Sequence, residues 1–223
     1  MRLVIFGIGG TDLEIDIQAL SKRDRYFLIT NMIVPRPIAW VTSKGADGTV
    51  NAAPFSFFNV MSATPPVLGF GVGGWKDTVR NIAETKEYVI NIVPKAQAEA
   101  MNITAIEFPP GESELPQAKL EPTPSQKVRV PGIAQSPIHI EMRYRDMIRL
   151  EADGATNYWV MGHIVHVHID DALWSDGRIP YDQLQPLGRL GGSWYTRVGA
   201  QTLMRMQRIK LSEWQEKQRP SGQ

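Results

Sequence analysis

Residues 35–59 read PRPIAWVTSKGADGTVNAAPFSFFN, and they carry the clearest local folding signals in the chain. A short apolar run after Pro35-Arg36-Pro37 predicts a strand over Ile38–Thr42. The Asp47-Gly48 pair predicts a tight hairpin turn, because these residue types tolerate the positive φ that such turns require. A second strand is predicted over Val50–Val60, with an interruption at Pro54. This stretch therefore predicts an antiparallel pair of strands.

Further strands and a few helices are predicted outside this stretch. The strands are Pro66–Val72, Lys86–Val93, Ile138–Arg145 and Tyr158–Asp170. The helices are Thr78–Thr85, which Asp77 caps, then Lys95–Thr104 and a C-terminal helix over Ala200–Lys217. Many strands at short spacing predict a mainly β sandwich or barrel, and the scarcity of helices argues against a doubly wound sheet.

The overall composition excludes several classes of protein. The chain has 223 residues, with 24 Lys and Arg against 23 Asp and Glu. This near-neutral charge gives no sign of the basic surface that binds nucleic acid or an anionic membrane. No apolar run approaches the length of a membrane span. Neither nucleic acid nor a membrane is therefore expected as a partner. Cysteine is absent, which excludes disulfides, a thiol nucleophile and thiolate-bound metal. The composition fits a globular protein of the reducing cytoplasm.

Three segments do not fit the strand pattern: residues 1–19, the excursion Glu107–Pro131 and residues 199–223. Residues 1–19 form an N-terminal extension, in which Met1–Phe6 and the glycines after it are similar to the start of a dinucleotide-binding unit. No βαβ pattern follows, so an extra strand or a disordered extension is favoured. The excursion Glu107–Pro131 holds six prolines and cannot be helix interior or central strand. It is either a lid or partner-wrapping loop or a plain surface loop. Residues 199–223 are expected to form a helical tail.

Polar and aromatic side chains are densest between Arg36 and Thr78. Hydroxyl and amide groups there suit the edge of a flat heteroaromatic ligand, and phenylalanines suit its faces. Lys76-Asp77-Thr78 then begins a helix, where a cation, a hydroxyl and backbone N–H groups favour an anion. The combination predicts a flat, phosphorylated ligand. The alternative is a capped helix start beside core phenylalanines.

Ordered motifs extend this pattern along most of the chain. In the first half they are Pro35–Ser43, Asp47-Gly48, Asn51–Asn59, Pro65-Pro66, Lys76-Asp77-Thr78, Asn81-Ile82 and Glu87–Asn91. In the second half they are Ser136-Pro137, Gly162-His163, Asp170-Asp171, Pro186-Leu187 and Arg189–Gly192 with Tyr195. Together they resemble the flavin reductase-like, FMN-binding split-barrel family. The resemblance covers residues 20–198, which we take as the FMN-binding domain.

The resemblance implies a Greek-key split β-barrel that forms a homodimer, with FMN near the dimer interface. It implies a phosphate held by Thr42, Ser43, Lys76 and Thr78. It implies that the ring and ribityl chain follow Ala53, Pro54, Phe55 and Ser56, with Asn59 close by. Three positions keep two interpretations each. Arg36 contacts flavin or fixes its loop, Trp40 is a ligand wall or core, and Arg189 reaches flavin across the dimer or belongs to a turn.

The same resemblance implies hydride transfer from NADH or NADPH to FMN. Because the flavin carries the redox step, no general base, triad or metal is required from the protein. The leading hypothesis is an NAD(P)H-dependent FMN reductase that supplies reduced flavin to a partner oxygenase. The alternatives are an FMN electron carrier of the flavoredoxin type and an interaction module that has lost its cofactor.

Three histidines lie on one predicted strand. Strict alternation places His166, His168 and Asp170 on one face of that strand and His163 on the other. The first three could hold a metal, but a polar solvent face explains them equally, so no metal is assigned. His163 is a candidate for facing flavin or nicotinamide, and the alternative is a buried structural histidine.

Overall fold

The computed structural model describes residues 13–109 and 111–218. The prediction for the first twelve residues of the N-terminal extension lies outside the described residues. The strands are β1 (Arg36–Pro37), β2 (Ala39–Lys44), β3 (Val50–Phe55), β4 (Phe58–Ala63), β5 (Pro66–Gly73), β6 (Glu87–Asn91), β7 (Pro122–Thr123), β8 (Gly132–Ile133), β9 (Ile138–Ala152), β10 (Ala155–Ile169), β11 (Leu187–Arg189) and β12 (Tyr195–Arg197). The α-helices are α1 (Lys22–Met32), α2 (Asp77–Thr85), α3 (Ala98–Ile103), α4 (Glu114–Gln117), α5 (Tyr181–Leu184) and α6 (Leu211–Gln218).

The main sheet closes on itself. Seven strands pair antiparallel in the order β3–β2–β6–β9–β10–β5–β4. β3 and β4 stand at opposite edges, yet only Ser56 and Phe57 separate them in the chain. Three residue steps span at most about 11 Å, whereas seven flat strands would measure roughly 29 Å from edge to edge. The sheet must therefore curl until its edges meet, which confirms the mainly β, split-barrel prediction.

The edge crossing corrects one predicted strand. Val50–Val60 is two strands, not one, because the chain leaves one edge of the sheet at Phe55 and joins the other at Phe58. The Phe57 carbonyl accepts from the Gly71 amide at 2.7 Å and begins the new ladder. Pro54 is tolerated because β3 is an edge strand.

The inner face of the curled sheet forms the main core. Alternate residues of five strands point inward, and two residues of α2 join them. The fully or nearly fully buried members are Ala39, Val41, Leu68, Phe70, Val72, Val79, Ile82, Tyr88, Ile90, Met142 and Val160. α2 therefore packs beside the barrel with its N-terminus at the end of β5.

The β9–β10 hairpin is longer than its sequence pattern predicts. Each strand has 15 residues, and Asp153-Gly154 connects them. Both turn residues have positive φ, 52° and 72°, as a two-residue type I′ hairpin requires. Ion pairs and polar residues near the turn hide the alternation on which the prediction relied.

The proline-rich excursion is a docked layer of the fold, which corrects the plain-loop interpretation, whereas its role as a lid or partner-wrapping loop stays a prediction. It buries Leu115, Ala118 and Leu120 against Trp40 and Ile133. Two buried carboxylates hold it to the sheet. Glu114 accepts from the Ala52 amide at 2.8 Å. Glu141 accepts from the amides of residues 126, 127 and 128 at 2.7, 2.6 and 3.2 Å.

The helices differ from the predictions in several places, and α3, predicted over Lys95–Thr104, is α-helical only over Ala98–Ile103. α1 was not predicted, although Ser21 accepts from the Asp24 amide in a typical N-cap contact. α2 begins at Asp77 itself, so Lys76, not Asp77, occupies the cap position. In residues 199–218 of the tail only α6 is α-helical, because the apolar side chains of 203–209 are exposed and a helix without packing is marginal in water.

Among the described residues, no helix is both long and apolar enough to cross a membrane.

We expect Glu141→Gln to destabilise the fold by about 2–3 kcal/mol, because a carboxamide supplies one acceptor oxygen to three backbone amides that the buried carboxylate now binds. Urea unfolding measures the loss. Glu151→Gln is the matched control, since that carboxylate is exposed on the same hairpin and should cost under about 0.5 kcal/mol. Equal stability of the two variants would refute the anchoring role of Glu141.

Candidate functional site

A cleft of about 370 Å³ opens between the edge strand β3 and the end of β5. Its walls come from β3, from the turn between β5 and α2, and from the chain that follows α3. The lining residues are Asn51, Ala53, Pro54, Phe55, Gly73–Thr78, Thr104–Phe108 and Glu114. The volume lies within the roughly 300–1,000 Å³ typical of small-molecule sites.

One end of the cleft is suited to an anion. The N-terminus of α2 presents backbone N–H groups there, and Lys76 stands at the cap position. The preceding Gly74 has φ of +78° and no atom near the place of a Cβ, so the backbone is open to an approaching ligand. Lys76 Nζ contacts the Glu107 carboxylate at 2.5 Å. This lysine is thus already paired with an anionic group in the cleft.

A buried polar network lies beneath this end. The Thr78 hydroxyl donates to Asn51 Oδ1 at 2.8 Å, and Asn51 Nδ2 donates to Glu114 Oε1 at 2.6 Å. These contacts fix the orientation of the Asn51 amide. Because the Thr78 hydroxyl donates its proton to Asn51, toward the cleft it offers only acceptor lone pairs. Any donor to an anion at Thr78 is therefore its backbone N–H.

Burial raises the pKa of Glu114 above the ordinary range, and the hydrogen bond from Ala52 opposes that shift. Glu107 has the reverse shift, since its hydrogen bond with Lys76 lowers the pKa of its carboxyl. The two carboxylates of the cleft thus differ in environment, one buried beneath it and one exposed at its mouth.

The rest of the cleft is apolar and partly aromatic. Phe55 and Pro54 line one side, and Trp75 and Ile106 lie on the walls toward solvent. Trp75 packs edge-on against Tyr158, with ring centroids 5.2 Å apart. Such walls suit one face of a flat ring.

The structure brings five of the predicted site residues together at this cleft: Ala53, Pro54, Phe55, Lys76 and Thr78. Two predicted phosphate residues are not among them, which corrects that expectation. Thr42 is fully buried and donates to the Pro131 carbonyl at 2.7 Å. Ser43 is fully buried behind Asn51, with Asn81 Nδ2 3.2 Å from its oxygen. β2 is covered on both faces, so its hydroxyls serve the interior.

The residues with two interpretations have structural roles here. Trp40 is a core residue, fully buried with its Nε1 donating to Thr104 Oγ1 at 2.9 Å. Arg36 fixes its loop by donating to the Thr30 and Ile33 carbonyls, each at 2.6 Å. Arg189 ends strand β11, where it contacts Tyr195 and the Gly192 carbonyl, and its predicted reach to flavin across a dimer stays a prediction.

Ser56 and Asn59 lie at and beyond the edge crossing, outside the cleft lining. The Asn59 side chain accepts from the Val60 amide at 2.8 Å. Their predicted contact with flavin stays a prediction.

A β-bulge corrects the predicted faces of the histidines. His163 pairs with Arg143 and His166 with Glu141, so Val165 is an extra residue between them. His163, His166 and His168 therefore share one face, opposite to the barrel interior. His166 Nδ1 lies 3.2 Å from Glu141 Oε1 without hydrogen-bond geometry, and His168 stacks on His139. Within the described part of the chain, no three such side chains are placed to hold a metal ion.

The Gly162-His163 motif has a steric explanation. A Cβ at Gly162 would collide with the buried Tyr88 hydroxyl and lie 2.8 Å from the Arg143 carbonyl oxygen. The glycine is thus required by packing at the bulge. His163 does not line the cleft of this chain.

Sequence reasoning missed Glu107, Glu114, Trp75 and Ile106 as lining residues. No local pattern marks them, because each reaches the cleft through long-range packing of the excursion, of the chain that follows α3 or of the β5–α2 turn. The one usable signal was Ser113-Glu114 before an apolar residue, which is an N-cap pattern for α4.

The fold agrees with comparisons to known proteins. The family model described as flavin reductase like domain matches residues 32–181, so the chain belongs to the flavin reductase-like family. Nitrilotriacetate monooxygenase component B from Bacillus cereus is 35% identical, with a TM-score of 0.83 over 87% of this chain and 100% of that one. The 2-nitrobenzoate 2-nitroreductase NbaA of Pseudomonas fluorescens is 34% identical, with a TM-score of 0.80 over 89% and 96%. Flavoredoxin of Desulfovibrio vulgaris, at 21% identity and a TM-score of 0.68 over 78% and 91%, is similar in fold alone.

The raised pKa of Glu114 predicts a pH-dependent contribution to stability. Because the folded carboxyl binds its proton more tightly than the unfolded one, wild-type stability falls as pH rises above the ordinary glutamate range. Glu114→Gln destabilises by about 1–3 kcal/mol, since one amide donor loses its acceptor. The difference in stability between the wild type and this variant should shrink as pH rises, because only the wild type loses stability when residue 114 ionises.

Urea unfolding of both proteins from mildly acidic to mildly basic pH measures the trend. Glu112→Gln is the control, because its carboxylate is exposed two residues earlier on the same segment. A deficit that is constant or grows with pH contradicts the assigned direction.

Proposed function

We propose that this protein is a flavin reductase that binds FMN in the cleft and reduces it with NADH or NADPH. The observation that carries the proposal is the pairing of an anion site with an apolar wall in one cleft of a flavin reductase-like chain. Lys76 and the backbone N–H groups at the start of α2 would hold the phosphate. Ala53, Pro54 and Phe55 would follow the ring and ribityl chain, with Trp75 on the outer wall.

The donor set fits this ligand on its chemistry. A phosphate needs a cation and backbone N–H groups, and a ring needs apolar walls, and both kinds of group line the cleft. When bound, the flavin supplies the hydride-accepting centre. The chain itself has no cysteine, so no thiol competes as a redox group. Its own residues bind, orient and partly shield the ligand.

A homodimer and a partner oxygenase belong to the same proposal. Exposed apolar side chains cluster on α1 and on the neighbouring edge of the barrel, where Tyr26 packs against Phe57 with ring centroids 6.4 Å apart. Val60 and Met61 extend this surface along β4, and such a patch suits a second copy of the chain. The likeness to a monooxygenase component supports transfer of reduced flavin to a separate oxygenase. We propose a cytoplasmic location, where both nicotinamide donors are available.

A second candidate is reduction of a nitroaromatic compound by the bound, reduced flavin. It is favoured by the 34% identity to a 2-nitrobenzoate 2-nitroreductase. An FMN electron carrier without NAD(P)H turnover is the remaining alternative. All three use the same cleft, so only turnover separates them.

We expect the purified protein to bind FMN and to lose the flavin's visible absorption when NADH or NADPH is added anaerobically. Excess free FMN should then be reduced catalytically, and a nitroaromatic added to the reduced protein tests the second candidate. Bound FMN that neither donor reduces would favour the electron carrier. Failure to bind FMN at all would refute the proposed function.

Lys76→Ala should weaken FMN binding by about 1.5 kcal/mol, because it removes a charge-assisted phosphate contact from a half-exposed lysine. This is roughly tenfold in Kd. Riboflavin, which lacks the phosphate, should bind the variant and the wild type alike. Lys95→Ala is the matched control, since Lys95 is exposed and outside the cleft. Unchanged FMN affinity in Lys76→Ala would show that the phosphate lies elsewhere.

A further inference from the structure

The anion end of the cleft carries an excess of negative charge. Lys76 is the one cation among the described residues that line the cleft, whereas Asp77, Glu107 and Glu114 are its carboxylates. An anionic ligand therefore enters a site whose fixed side chains oppose it, apart from Lys76 and the start of α2. The three carboxylates have different hydrogen-bond and ion-pair partners.

Two of the carboxylates are engaged away from Lys76. Asp77 pairs with Arg80 at 2.8 Å, one helical turn along α2. Glu114 accepts from Asn51 and Ala52 beneath the cleft. Only Glu107 contacts the ammonium group that a phosphate would use, at 2.5 Å. Glu107 is therefore the group that an incoming phosphate has to displace.

The Lys76–Glu107 pair is well placed to be displaced. The Glu107 side chain is 79% exposed and that of Lys76 49%, so water screens their attraction. Glu107 lies in the chain between α3 and α4, and its carboxylate can turn to solvent without exposing core. A phosphate dianion offers Lys76 a stronger partner, but the displaced carboxylate stays close enough to repel it.

We propose that Glu107 sets the preference of the cleft between phosphorylated and non-phosphorylated flavins by occupying Lys76 when no phosphate is bound. This inference rests on the proposed function. Glu107 lowers the affinity for FMN and leaves riboflavin unaffected, because riboflavin brings no group that competes for Lys76. The lowered affinity keeps FMN exchangeable, as a protein that hands reduced flavin to a separate enzyme requires.

Fluorescence titration with FMN and with riboflavin tests this on the full-length protein. Glu107→Gln should tighten FMN binding roughly two- to fivefold, since an exposed ion pair no longer has to be opened. It should leave riboflavin affinity unchanged and slow FMN dissociation in a stopped-flow measurement. Glu112→Gln removes the same charge from the same segment without touching Lys76, and it should leave FMN affinity at the wild-type value.

A double variant distinguishes competition for the Lys76 ammonium group from a general electrostatic effect of the Glu107 carboxylate. In the Lys76→Ala background, Glu107→Gln should give a smaller gain in FMN affinity than in the wild type. Three results would overturn the inference: an FMN affinity for Glu107→Gln equal to that of Glu112→Gln, an equal gain for riboflavin, or an undiminished gain without Lys76. If the wild type binds neither flavin, the proposed function fails instead, so the two failures are distinguishable.

Discussion

The short crossing between β3 and β4 is the constraint on which the rest of the molecule depends. Two residues connect strands at opposite edges of a seven-stranded sheet, and the sheet can satisfy this only by curling. The curl gives the inward faces a shared core and brings β3 beside the end of β5. The cleft is the gap between β3 and the end of β5. Its apolar wall and its anion end thus come from strands that are neighbours only because the sheet is closed.

The docked excursion turns that gap into a preformed site. Glu114 and Glu141 accept hydrogen bonds from backbone amides, so the excursion is held by charge-assisted hydrogen bonds as well as by apolar packing. Glu114 also orients Asn51, which in turn receives the Thr78 hydroxyl. The Glu114 carboxylate therefore holds the excursion against β3 and also fixes the buried polar network beneath the cleft. Burying it raises its pKa, which is the physical cost of placing both tasks on one group.

Sequence patterns correctly predicted the features that depend only on residues close together in the chain. The Asp47-Gly48 turn, the strands around it and the helix beginning after Lys76 depend on turn chemistry and periodicity within a few residues, and the structure has them. The wrong predictions concern residues whose burial or orientation is set by long-range packing or by a bulge in the strand. Thr42 and Ser43 face the interior because the excursion covers β2, and no nearby residue signals that cover. His163 changed face because one bulge residue, Val165, shifts the alternation. Glu107 and Trp75 reach the cleft only through tertiary packing.

The charge balance of the cleft connects its structure to how tightly it would hold a ligand. One exposed lysine and one helix start act against three carboxylates, so electrostatics alone give an anionic ligand little net gain. Most of the binding free energy must then come from the apolar wall, which acts on the ring of a flavin and is indifferent to its phosphate. Under the proposed function, such a site would recognise the ring first and use the phosphate for orientation. Orientation with modest affinity is what a reductase needs if its flavin leaves after each reduction, whereas a permanently bound carrier would gain from a second cation that this cleft, among its described residues, does not have.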